Sequence, residues 1–229
     1  MSDAGDPLRL AAALWAGDAP LGPWLRGDAA DALRGLGIGR LQVNVDDDHV
    51  AAAQLRLTTF ETGPTAYLFA DVPRGREDEV LAVLREGAAR VEAWEVEEIV
   101  PLAAPRGLDG ERDPGLVNIA LVRRAAGLDD ETFRQRWLGD HTAVALRTQA
   151  TTGYVQNRVV RGLEEATPEL DAVVEETFPE AGMTDLHAFY GSAGDDAEMG
   201  RRMTELMTSV ARFADDSRID VTPTSRYVL

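Results

Sequence analysis

His141, one of only three histidines in the 229 residues, follows a Gly139–Asp140 pair inside "RWLGDHTAVALRTQATTGYVQNRV". A neutral imidazole at the edge of a dry pocket can take an acidic proton from carbon next to a carbonyl, and the protonated ring can pass it to a leaving hydroxyl. Tyr154 and Asn157, on the segment that follows, bring a phenol and an amide able to hold a developing oxyanion. His141, Tyr154 and Asn157 are therefore the expected catalytic residues. Gly139 should break the helix, Asp140 should cap its continuation, and His141 should occupy the first turn of the second piece. There the helix dipole disfavours imidazolium, unless Asp140 offsets it. The alternative is a ring that packs on Trp137, bonds a backbone carbonyl and does no chemistry.

Around this set, Phe133 and Trp137 lie on the apolar side of the same helix and either wall a pocket or fill the core. Asn118 interrupts the apolar "LVNIALV", and His187 and Phe189 share one face of "DLHAFYGS". Phe133, Trp137, Asn118, His187 and Phe189 are the expected substrate-binding residues. Tyr154 and Asn157 have opposite parity, so a regular strand cannot aim both into one cavity.

Other chemistries are excluded by composition. Cysteine and lysine are both absent, which removes disulfides, thiolate sites, a lysine Schiff base and a Walker-type phosphate grip. The net charge of -17 opposes binding to a phosphate backbone, so no nucleic acid partner is expected. No metal is expected either: there is no His-x-His or His-Glu-x-x-His spacing, and Asp46 to Asp48 with His49 form a short acidic turn. "GLGIG" follows a helix and precedes a strand, the reverse of the dinucleotide order, and "LGDH" is not a serine elbow. No apolar run approaches the roughly 20 residues of a membrane span. The N-terminal "MSDAGDPLRL" lacks the basic-then-apolar order of a secretory signal, so a cytoplasmic protein is expected.

The elements that must position these groups occur twice. The second set comprises a strand at "LVNIALVR", a helical stretch over "AAGLDDETFRQRWLGDHTAVALRTQ" capped by Asp129 or Asp130, and a strand at "TGYVQNRVV". A polar stretch from Gly162 to Gly182 then leads to a short strand at "DLHAFYGS", a helix over "DDAEMGRRMTELMTSVARFADD", and a closing strand at "RIDVTPTSRYVL" with Pro223 at an edge or bulge. The first set runs "LRLAAALWA", a helix near "DAADALRGL", "GRLQVNV", "TAYLFADV", a helix through "EDEVLAVLREGAARV" and "EAWEVEEIV". "WLRGDAADALRGLGIGRLQVNV" also parallels "WLGDHTAVALRTQATTGYVQNRV" in wording. The expected fold class is α+β: two tandem ferredoxin-like βαββαβ units forming an intrachain pseudo-dimeric α+β barrel. The expected boundaries are residues 1–104 for a degenerate half, 105–114 for the linker "PRGLDGERDP" and 115–229 for the half carrying the site. Such a chain is expected as a monomeric pseudo-dimer or a homodimer.

The stretch "DDETFRQRWLGDHTAVALRTQATTGYVQNRV" resembles the signature of the EthD family in the dimeric α+β barrel superfamily: a helix with Phe and Trp, an acidic residue with His, then an aromatic-Val-Gln-Asn strand. The resemblance spans roughly Leu116 to Leu229. It implies a cavity between helices and sheet for a small, mostly apolar molecule. Relatives include cofactor-free dehydratases, cyclases and isomerases, some oxygenases, and haem-binding members. Ala143 stands where the family commonly has Pro, and Ala29 or Ala30 stands in the first half near where the His would be. The resulting expectation is a cofactor-independent lyase, a dehydratase or cyclase, acting on a small apolar carbonyl-containing metabolite and needing no cofactor. The alternatives are a cofactor-free isomerase of lactone-type substrates, or a binding protein for an apolar ligand or haem.

Overall fold

The computed structural model describes residues 6–229. Two βαββαβ units follow each other along the chain. The first contains β1 (Leu8–Ala16), α1 (Leu21–Arg26), α2 (Asp28–Gly35), β2 (Gly39–Val45), β3 (Ala66–Val72), α3 (Glu77–Gly87) and β4 (Ala88–Leu102). The second contains β5 (Leu116–Val122), α4 (Asp130–Arg134), a π-helical turn (Gln135–His141), α5 (Thr142–Thr148), β6 (Gly153–Gly162), β7 (Ala172–Phe178), α6 (Leu186–Tyr190), α7 (Asp196–Val210) and β8 (Asp220–Val228).

The eight strands close into an antiparallel barrel in the order β1-β3-β2-β8-β5-β7-β6-β4. Each unit keeps the ferredoxin-like order, β4-β1-β3-β2 and β8-β5-β7-β6. The two sheets join edge to edge where β2 meets β8 and β4 meets β6. Closure leaves no exposed edge strand. It also explains why β1 and β5 read as apolar at both parities, since one face meets helices and the other meets the lumen. Val117, Ile119 and Leu121 of β5 join Trp15, Tyr67, Phe69 and Trp94 in the lumen. Ala120 and Val122 turn the other way, toward Phe133, Trp137 and Phe213 under the helices.

Local signals account for several element ends. Asp129 accepts a hydrogen bond from Thr132 N at 2.7 Å and starts α4, as its position suggests. Asp195 does the same for α7 through Ala197 N and Glu198 N, at 2.9 and 3.0 Å. Pro223 lies inside the barrel wall rather than at a free edge, yet the local reason for expecting an edge holds. The β2 ladder ends at Ser225, and Leu57 bridges only Val221, so the proline occupies the gap between them.

Three elements differ from the sequence expectation. "DLHAFYGS" is not a strand: Asp185 caps a one-turn helix at His187 N, 2.8 Å, and Gly191 ends it at φ 65°. The strand of this unit is β7, "AVVEETF", inside the stretch taken as polar. Its two glutamates hide an alternation in which Val173 faces the lumen and Val174 faces the helices. Finally, α3 stops at Gly87 instead of running to Val91. The following residues pair with β1, and Arg90 stacks on Trp15 at 4.3 Å.

In the first unit the space between sheet and helices is filled by Leu10, Leu14, Leu25, Leu33, Leu68 and Leu81, with Ala29 and Ala30 completely enclosed. Among the described residues no helix is long and apolar enough to cross a membrane.

Candidate functional site

The second unit departs from solid packing under the segment that carries His141. Gly139 does not break this helix. The chain widens instead into a π-helical turn over Gln135–His141 and continues directly into α5. Such turns arise where an extra residue is accommodated in an α-helix, often at functional sites. The Thr142 hydroxyl compensates for the disturbed ladder by donating to Leu138 O at 2.9 Å. Asp140 caps nothing and pairs with Arg212 at 2.9 Å on the surface. His141 therefore sits within a continuous helix, away from any free N-terminus, and the dipole argument for its charge state does not apply.

Its neutrality has another cause. The ring is 5% exposed, lies 4.8 Å from the Phe213 ring and has one polar partner, Ser209 Oγ, at 3.0 Å from Nδ1. Burial lowers its pKa to about 4, so the imidazole is uncharged at neutral pH. Because Nδ1 is occupied, Nε2 is the nitrogen left for a guest. A ring of such low basicity is a weak base and a good neutral hydrogen-bonding group.

His141 lines a cavity of about 180 Å³ between the helices and the β5-β7-β6 face. Its walls are largely apolar: Trp137, Phe189, Leu206, Val210 and Phe213 contribute, with Ala120 and Val174 on the sheet side. Phe133 backs Trp137 at 5.3 Å between ring centroids without reaching the cavity itself. A larger cleft of about 620 Å³ beside Arg123, Arg158 and Asp171 is lined mainly by polar and charged groups and offers no comparable apolar surface.

Three polar groups of the sheet form a row. Asn118 on β5, Glu176 on β7 and Tyr154 on β6 are direct cross-strand neighbours, and all three point toward the helices. Tyr154 and Glu176 line the cavity; Asn118, fully buried and without a partner for either amide atom, lies just behind it. Burial raises the Tyr154 pKa far above its ordinary value, with the nearby Glu176 charge adding to the effect, so the phenol keeps its proton. Glu176 accepts no hydrogen bond among the described residues, and burial alone raises its carboxyl to about 7. Gln149, whose Oε1 also lacks a partner, completes the polar lining from the end of α5. Among the described residues no three His, Asp or Glu side chains are grouped to hold a metal ion.

The first unit contributes to the same cavity. Leu55 and Leu57, on the segment between β2 and β3, join its lining while each keeps more than a third of its own surface exposed. Leu57 exchanges backbone hydrogen bonds with Val221 at 3.0 and 2.8 Å. Asp220 grips the Thr59 hydroxyl at 3.0 Å and is itself paired with Arg123 at 2.9 Å. The segment of the first half that carries Leu55 and Leu57 is thus fastened to the last strand of the second.

The remaining expected residues lie elsewhere. Asn157 projects into the barrel lumen, on the opposite side of the sheet from His141. Its Nδ2 donates to Glu175 at 3.1 Å, whose other oxygen accepts from Gln42 at 2.6 Å. It forms part of a buried polar plug and cannot hold an oxyanion beside His141. His187, on α6 rather than on a strand, bonds Ser192 at 2.7 Å and faces Asp196 at 3.3 Å near the surface. Its neighbour Phe189 does reach the cavity. His49 is exposed. Glu176, Gln149, Leu55 and Leu57 were not singled out from the sequence. The only local signal for Glu176 is its parity within "AVVEETF".

Residues 125–217 match the EthD domain family. No curated protein matches the chain in sequence. In fold, the chain is similar to a mutant chlorite dismutase from Candidatus Nitrospira defluvii, at 8% identity and a TM-score of 0.53, covering 96% of this chain and 91% of that one. It is also similar to an anthrone oxidase-like protein at 10% identity and a TM-score of 0.50, covering 97% and 92%. At these identities the likeness concerns the fold alone. His141, Tyr154 and Glu176 all fall inside the matched stretch, and the chain is an α+β barrel of two ferredoxin-like units whose second unit contains the residues that match the EthD domain.

Proposed function

We propose that the chain is a cofactor-independent lyase, a dehydratase or cyclase, acting on a small, mostly apolar carbonyl compound held in the His141 cavity. The observation that carries this reading is a largely apolar cavity lined by a neutral imidazole from the helix wall and by a carboxyl without a hydrogen-bond partner from the sheet wall. Groups with opposite pKa displacements in one apolar site are the usual arrangement for moving protons at carbon. An apolar cavity of about 150 Å³ accommodates benzene. A volume of 180 Å³ therefore suits one substituted ring. The volume of about 180 Å³ between Trp137, Leu206 and Phe213 favours a one-ring guest over haem.

The reading is tested with 3-hydroxycyclohexanone, a one-ring β-hydroxy ketone whose dehydration to the enone is followed by ultraviolet absorbance. Wild-type protein should accelerate the loss of water, and His141→Gln should lower the rate by about 10²–10³-fold, the effect of removing one oxyanion donor. Tight binding of the ketone with no acceleration would identify a binding protein instead.

A further inference from the structure

Glu176 is the feature of this molecule least explained by stability. A half-buried carboxyl set among apolar side chains without a hydrogen-bond partner is costly, and native structures retain few of them without a functional reason. Its neighbour Glu175 shows the structural alternative: facing the lumen, it is satisfied by Gln42 and Asn157. Glu176 lines the cavity and accepts no hydrogen bond among the described residues.

We propose, building on the carbonyl reading above, that Glu176 is the catalytic base of this site and removes the α-proton of a ketone whose oxygen is held by the uncharged His141. The titratable groups around it are His141 on the π-helical turn, Tyr154 on β6 and Tyr190 on α6, and no arginine lines the cavity among the described residues. Nothing nearby stabilises its anion strongly, so its carboxylate is a stronger base than an exposed glutamate, and about half of it is ionised near pH 7. His141 is suited to the complementary task. The Ser209 contact at Nδ1 is compatible with either tautomer; in the one that serves this step the hydroxyl donates to Nδ1, so that the ring carries its proton on Nε2 and donates it to the carbonyl oxygen.

The electrons and protons balance within the substrate. The C–H pair becomes the enolate C=C bond, the carbonyl π pair moves to oxygen, and the proton goes to Glu176. The enolate then re-forms the carbonyl and expels the β-hydroxyl, which takes the proton from Glu176 and leaves as water. Glu176 ends as the carboxylate it began as, and no co-reactant is needed. The substrate class is accordingly a β-hydroxy ketone on a single ring.

The test uses cyclohexanone, which has no leaving group and reports proton removal alone. Exchange of its α-hydrogens for deuterium is followed by proton NMR between pH 5 and 9 for wild type, Glu176→Gln and His141→Gln. Wild type should exchange faster than buffer, with a rate rising through about pH 7 and then levelling. Glu176→Gln should lose about 10²-fold or more and lose the inflection, whereas His141→Gln should lose rate but keep it. Infrared difference spectra of wild type minus Glu176→Gln should show the protonated-carboxyl stretch at pH 6 and its loss by pH 8. A Glu176→Gln variant retaining the wild-type rate and inflection overturns the assignment to Glu176 while leaving the carbonyl reading standing. Wild-type exchange no faster than buffer overturns both.

Discussion

Replacing Glu176 with glutamine should change stability in a way that depends on pH. The carboxyl titrates near its ordinary 4.5 in the unfolded chain and near 7 in the folded one. Below 4.5 it is neutral in both states and contributes nothing that glutamine does not. As pH rises from 4.5 to 7 the unfolded chain releases the proton while the folded chain still binds it, so stability falls with pH across that window. The gap, at about 1.4 kcal/mol per pH unit, amounts to about 3 kcal/mol by pH 8. Glu176→Gln should match wild type within about 0.5 kcal/mol at pH 4, and should exceed it by about 3 kcal/mol at pH 8. Urea unfolding at half-unit pH steps, with the midpoint and slope compared at each, measures the difference directly. Since both chains share every other titrating group, the background cancels. A difference that stays constant from pH 4 to 8 would show that the carboxyl is as well solvated folded as unfolded, and the argument for its poised proton would fail.

His141→Gln should show the mirror image. The folded imidazole titrates near 4 against 6.5 unfolded, so its cost appears as pH falls through that window; the variant should gain about 3 kcal/mol relative to wild type between pH 7 and pH 4, measured by the same unfolding series. Asp113→Ala removes the partner of the buried Arg226, paired at 2.6 Å, and should cost about 3–5 kcal/mol, read from the urea midpoint. Gly153→Ala would drive a methyl group into Ala104 where β6 passes under the inter-unit segment, and should cost about 1–3 kcal/mol by the same assay.

Between pH 4.5 and 6.5 the two cavity groups act in opposite directions with similar slopes, His141 gaining stability with pH and Glu176 losing it. The cavity can therefore hold two displaced titratable groups without imposing a net pH dependence on folding in that window. The first unit, with leucine and alanine in the corresponding space, bears no such cost and supplies Leu55 and Leu57 to the other cavity.

The sequence by itself determined the doubled βαββαβ order, the Asp129 and Asp195 caps, the setting of His141 beside Trp137, and the opposite faces taken by Tyr154 and Asn157. Each of these is local, because periodicity, caps and strand parity are set by residues within a few positions of one another. Gly139 and "DLHAFYGS" were misjudged for a related reason: one glycine does not end a helix whose neighbours are packed on both sides, and five residues fit a strand or a helical turn equally well. Only the tertiary structure decided which carboxyl would be poised, what kept His141 neutral, and which side chains line the cavity. Those properties are made by desolvation, which depends on how Phe213, Tyr190, Leu57 and Val174, far apart along the chain, come together around the same small volume.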